Sequence, residues 1–221
     1  MSTPVERGVE TPHGPGRLVS HLAGDPVADL LLSHGAGGGI GARDLVALAE
    51  ALPAQGYSVH LLEQPWRTAG RKIATRPPTL DDALLAALDL LTGDGANAST
   101  RRPLVLGGRS AGARSACRSA AVAPVEVAGV LALSFPLHPP GKSERSRLAE
   151  LTGAGVPVLV VQGERDPMGR PEEFPDDTEM VVLAGGDHGL KVPRRGELSE
   201  GEAMGVVVEG TLEWLVREIV G

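Results

Sequence analysis

The chain has 221 residues, 42% of them hydrophobic, 22% charged and 2% aromatic, and a net charge of −7. That balance belongs to a globular chain and predicts a single α/β domain over residues 1–221, while its acidity and its few aromatics argue against nucleic-acid binding. The longest apolar runs are too short to span a bilayer, no apolar leader opens the chain, and the one cysteine, Cys117, excludes a disulfide framework.

Short aliphatic runs alternate with longer segments of helical period, which predicts a mostly parallel sheet with helices on both faces. Residues 5–10 and 16–22 read as short leading strands joined through PHGPG. ADLLLSHG (28–35) is apolar on both faces and predicts a buried strand. A helix is expected over 44–56, ending at Gly56, then a strand over 57–65. The segment 79–93 predicts a helix from a Thr79 cap to Gly93. A strand over 102–110 precedes a helix of small residues over 110–123, in which Cys117 is a packing residue. A strand over 127–137, a helix over 144–153 and strands over 156–167 and 178–189 follow. The chain closes on a helix over 201–220 with Trp214 on its buried side.

Three of these strands end in a reactive residue. Ser110 follows LVLGGR, Asp166 follows LVVQGER and His188 follows VVLAGGD. In open α/β sheets the carboxyl ends of the strands form the ligand crevice, so the three side chains are expected at one edge. Gly108-Arg109-Ser110-Ala111-Gly112 fits G-x-S-x-G between a strand and a helix, the context in which a sharp turn exposes a nucleophilic hydroxyl. His188 is the expected base and Asp166 the acid that orients it, with Glu164 and Asp187 as nearby alternatives.

SHGAGGGIGA (33–42) follows the first long strand, where a backbone donor to an oxyanion belongs. The amides of Ala36 and Ala111 are the expected pair, with Gly37 as substitute for the first. His34 is expected to brace the loop. A rival reading takes Gly37, Gly39 and Ala42 as a dinucleotide fingerprint with Glu63 as its acid. It leaves Ser110, Asp166 and His188 unexplained, and Tyr57 has Leu61 rather than a lysine four residues on.

The chain resembles the α/β-hydrolases, in particular the small dienelactone-hydrolase-like branch. SHGAGGG, EQPWRTAGR, GGRSAGAR, SFPLHPPGK and GGDHGL are similar to a hydrolase-like family shared by a testis-expressed protein and a subunit of the NSL histone-acetyltransferase complex, with bacterial members. The resemblance implies an α/β-hydrolase fold and no metal or organic cofactor. It also implies that some relatives act as parts of complexes.

The interval between the strand ending near Leu137 and the helix restarting near Glu144 leaves no room for a cap domain. An open crevice is therefore expected. His138, Trp66, Arg67 and Arg109 are candidate substrate contacts at its edge, with Arg71 beside them. His13, His21 and His60 lack ligand spacing, so no metal site is expected. The residues together predict a cytoplasmic serine hydrolase acting on a small carboxylic ester or thioester. The alternatives are a hydrolase-fold interaction module and, more distantly, a dinucleotide-dependent oxidoreductase. Arginine-rich basic residues with abundant Ala and Gly point to a bacterial source.

Overall fold

The computed structural model describes residues 3–72, 74–93 and 102–221. Its centre is an eight-stranded sheet of order β1-β2-β4-β3-β5-β6-β7-β8. The strands are β1 (Val5–Val9), β2 (Gly16–His21), β3 (Ala28–Ser33), β4 (Tyr57–Glu63), β5 (Leu104–Arg109), β6 (Gly129–Leu133), β7 (Val158–Gly163) and β8 (Met180–Leu183). From β4 to β8 all neighbours are parallel. The leading hairpin is antiparallel within itself, and its second strand is antiparallel to β4.

The continuous apolar runs are explained by two cores, one on each face of the sheet. Leu30 and Leu32 of β3, Val105 of β5 and Leu131 and Leu133 of β6 enter one cluster, closed by α1 (Arg43–Ala51) and α6 (Glu200–Trp214). Leu31, Leu104, Leu106, Val130 and Ala132 enter the other, closed by α3 (Pro77–Thr92) and α4 (Ala111–Ala120). Alternate residues of one strand thus serve opposite cores, as the pleat requires. Trp214 is 1% exposed and anchors α6 in the first cluster.

Several boundaries differ from the sequence reading. The third helix starts earlier than Thr79. Arg76 is its cap residue and Pro77 and Pro78 take its first positions, where the missing N–H costs nothing and the fixed φ fits. The helix expected over 144–153 shrinks to α5 (Leu148–Thr152). The cause is Arg147, whose N–H bonds the Leu137 carbonyl and whose guanidinium donates to the Pro136 carbonyl at 3.1 Å. Those bonds fold the preceding residues back onto the β6 loop instead of into a helical turn. β6 stops at Leu133 because Ser134 turns to φ 48°. Between β6 and β7 the chain holds only turns and α5, so no cap domain is inserted. A short helix, α2 (Pro65–Thr68), follows β4 at the carboxyl edge. No helix among the described residues is long and apolar enough to cross a membrane.

Candidate active site

Ser110 stands between β5 and α4 with φ 53° and ψ −110°. Such a torsion is rare for a residue with a Cβ, and it turns the hydroxyl out of the sheet edge. The turn fits only because its flanks lack side chains. A Cβ on Gly108, itself at φ +153°, would lie 2.3 Å from the Ser33 carbonyl oxygen, and one on Gly112 would lie 2.4 Å from the same atom. The motif's glycines therefore let α4 begin directly against the end of β3.

The structure brings the three strand-end residues together. Ser110 Oγ lies 2.9 Å from His188 Nε2, and His188 Nδ1 lies 2.7 Å from Asp166 Oδ2. A carboxylate only accepts, so the proton sits on Nδ1 and Nε2 is left to accept from the serine hydroxyl. Asp166 is fully buried, and its other oxygen accepts from the Met168 N–H at 2.8 Å.

Sequence reading missed the residue that supports this acid. Gln162 Nε2 donates to Asp166 Oδ2 at 3.0 Å and to the Gly169 carbonyl at 2.7 Å. The signal was present, because an amide inside the buried run VLVVQG demands internal partners. The two alternative acids have other duties. Glu164 accepts from the Gly185 N–H at 2.6 Å. Asp187 accepts from the Gly189 and Lys191 N–H groups at 2.7 and 3.0 Å and so closes the turn that carries His188. That turn rests directly on β7. A Cβ on Gly163 would come 2.6 Å from the carbonyl oxygens of both Gly186 and Asp187.

Arg109, expected at the substrate, is committed instead to the histidine turn. Its Nη2 donates to the His188 carbonyl at 2.6 Å, and its Nε lies 3.2 Å from Asp44 Oδ2. Asp44 is 1% exposed, in the first turn of α1. Burial pushes its carboxyl above the usual carboxylate range, and Arg109 pulls it back. Arg43 adds a longer bond, 3.4 Å, to the Gly189 carbonyl.

His138 is likewise occupied. Its Nδ1 meets the Pro139 carbonyl at 2.9 Å and its Nε2 meets Glu173 at 2.8 Å. Serving two acceptors needs both ring protons, which only the imidazolium has. The Pro139 carbonyl holds the ring above the ordinary histidine range; burial opposes this and Glu173 adds to it. Glu173 is held below the usual carboxylate range, first by the Arg170 N–H and further by His138. The His138 N–H also bonds the Met168 carbonyl at 3.0 Å, so this residue ties the β6 loop to the loop bearing Asp166.

The sign of the resulting pH dependence follows. A raised histidine contributes fully below its unfolded pKa and loses the contribution as pH rises through the folded one. The lowered Glu173 contributes above its unfolded pKa and loses it as pH falls. His138→Gln is therefore expected to cost most stability between the two ordinary values, with the gap closing in alkaline solution. Urea unfolding of both proteins across pH measures it; a gap that stays constant into alkaline pH would contradict the charged latch.

On the glycine loop, His34 is fully buried. Its Nε2 accepts from the Gln64 N–H at 3.1 Å and its Nδ1 donates to the Gly35 carbonyl at 2.9 Å. Burial holds the ring below the ordinary histidine range, in keeping with this neutral tautomer. Trp66, expected at the substrate, is 3% exposed and packs edge-on against His34 with ring centroids 5.4 Å apart. A Cβ on Gly35 would touch Ser110 Cβ at 3.3 Å, so the loop begins against the serine. The amides of Ala36, Gly37 and Ala111 have no acceptor among the described residues. Arg67 is exposed beside the loop, its Nε 3.4 Å from where a Gly39 Cβ would stand. Glu63, the acid of the rival dinucleotide reading, is paired with Arg17 at 3.0 Å. Among the described residues no three His, Cys, Asp or Glu side chains gather as metal ligands would.

A mostly parallel sheet of this order, with the strand-to-helix serine turn at its carboxyl edge, is the α/β-hydrolase architecture. The chain belongs to the alpha/beta hydrolase domain family, whose model matches residues 26–216. Solved structures agree over the whole chain. An alpha-beta serine hydrolase homologue from Coxiella burnetii is 19% identical with a TM-score of 0.72, covering 95% of this chain and 98% of its own. A serine hydrolase without a lid from Xanthomonas campestris is 18% identical with a TM-score of 0.69, covering 97% and 96%. A dienelactone hydrolase from Anabaena variabilis is 20% identical with a TM-score of 0.70, covering 99% and 100%. At such identities the likeness is one of fold. No curated protein sequence matches the chain.

Proposed function

We propose that the protein is a serine hydrolase cleaving a small carboxylic ester or thioester through Ser110, His188 and Asp166. The observation that carries this reading is the continuous hydrogen-bond chain Ser110–His188–Asp166, with Ser110 held in a strained turn. Ser110 Oγ attacks the acyl carbon while His188 Nε2 takes its proton. The carbonyl oxygen becomes an oxyanion held by the amides of Ala111, which opens α4, and Ala36, with Gly37 as the substitute donor. His188 returns the proton to the departing alcohol or thiol, leaving an acyl group on Ser110. Water then attacks that ester with His188 as base, and the acid and free Ser110 are released. Arg67, exposed beside the glycine loop and without a side-chain partner among the described residues, meets a charged group on the substrate in this reading. The dienelactone hydrolase among the structural neighbours supports the substrate class. The five segments from SHGAGGG to GGDHGL support a narrower kinship with the family of the testis-expressed protein and the NSL subunit.

The test is intact-protein mass after treatment with a fluorophosphonate, beside Ser110→Ala. One adduct on the wild type and none on the variant is expected. Folded wild type that takes no adduct would sink the reading and leave a hydrolase-fold interaction module in its place.

A further inference from the structure

We propose that the cleft between the β1–β2 hairpin and α2 is a second binding site, for a small organic anion with an apolar body. The cleft measures about 560 Å³ and is lined by Arg7, Arg17, His13, Arg71, Pro15 and Pro65, among others. That volume lies within the range of small-molecule sites. It stands apart from Ser110. β2 is three strands from β5 in the sheet, about 14 Å at the usual interstrand spacing.

Of the three arginines at the cleft, one is held in ion pairs and two are not. Arg17 is satisfied by Glu6 at 3.3 Å and Glu63 at 3.0 Å, and His13 by Asp82 at 2.7 Å. Arg7 and Arg71 have no side-chain partner among the described residues.

A second observation points the same way. A recess of about 30 Å³ adjoins the cleft, sharing His13, Pro65, Ala69 and Arg71 with it and reaching Trp66. That is roughly one water's share of liquid volume. Trp66 is 3% exposed, and its Nε1–H is buried without an acceptor among the described residues. An indole N–H can only donate, and leaving it unpaired costs free energy. Among the described residues, the side chains lining the cleft and its recess that lack a protein partner, Arg7, Arg71 and Trp66, are thus all donors. They call for an acceptor, and the guanidinium fork suits a carboxylate or a phosphate. Pro15, Pro65 and Ala69 give the ligand's body an apolar wall. Thr68 Oγ1 of α2 lies 2.5 Å from the Pro15 carbonyl of the hairpin turn, which links the two walls of the cleft.

The test is a tryptophan-fluorescence titration of the full chain with benzoate, phenyl phosphate and inorganic phosphate. Trp66 is the reporter, since Trp214 is buried in the core at the end of α6. Saturable binding of benzoate or phenyl phosphate is expected, unchanged in Ser110→Ala and weakened about tenfold by Arg7→Ala or Arg71→Ala. Both arginines are exposed, so the variants should fold. Inorganic phosphate binding as tightly as phenyl phosphate would overturn the organic-ligand assignment. Saturation by none of the probes, or binding indifferent to both arginine changes, would overturn the site itself.

Discussion

Asp166→Asn is expected to lower kcat on an ester substrate by about 10⁴-fold while leaving the fold intact. The size follows from the donors around this side chain. Three converge on it: His188 Nδ1, Gln162 Nε2 and the Met168 N–H. An asparagine has one oxygen and one NH₂, so it cannot accept from both sides. If its NH₂ faces the imidazole, Nδ1 must accept and the proton moves to Nε2. The ring then cannot take the serine proton. If the NH₂ faces Met168 instead, two donors confront each other in a fully buried site. Steady-state kinetics on a chromogenic ester, with the thermal midpoint as a control for folding, decide the matter. A loss smaller than about tenfold would remove Asp166 from the proposed mechanism.

The second large effect is expected at Arg109. Arg109→Met leaves the Asp44 carboxylate buried in the first turn of α1 without its ion-pair partner, at a cost of about 3 kcal/mol. The variant also frees the His188 carbonyl, so turnover should fall as well. The two losses can be separated. The double variant Arg109→Met/Asp44→Leu removes both charges and is expected to recover most of the stability, since a buried pair is often replaceable by apolar groups. It does not restore the bond to His188. Its kcat should stay about 100-fold low with KM little changed, the signature of a displaced base. Recovery of kcat together with stability would show that Arg109 acts through the fold alone.

The frame of the molecule was legible because strand and helix periods are local. LLLS, LVLGG and LVVQG announce buried strands, and Gly56 announces a helix end that the structure shows as a left-handed cap. The candidate triad was legible as three strand ends. What holds those ends was not. Arg109 is 79 residues from the His188 carbonyl it binds, and His138 is 35 residues from Glu173. Neither spacing leaves a periodic trace. Asp44 also has an ordinary local explanation, an acid in the first turn of a helix, which conceals its burial against Arg109. Burial of a charged side chain becomes visible only when remote elements meet.

The missing cap has a kinetic meaning. In lidded enzymes a closing motion separates encounter from chemistry, and an opening motion can set the turnover rate. Here the described residues include no cap domain to open or close. On the proposed mechanism, the acyl-enzyme forms and decays at an edge that bulk water reaches throughout. Such an intermediate is short-lived by construction: the solvent that weakens electrostatic stabilisation during its formation is also the reagent that ends it.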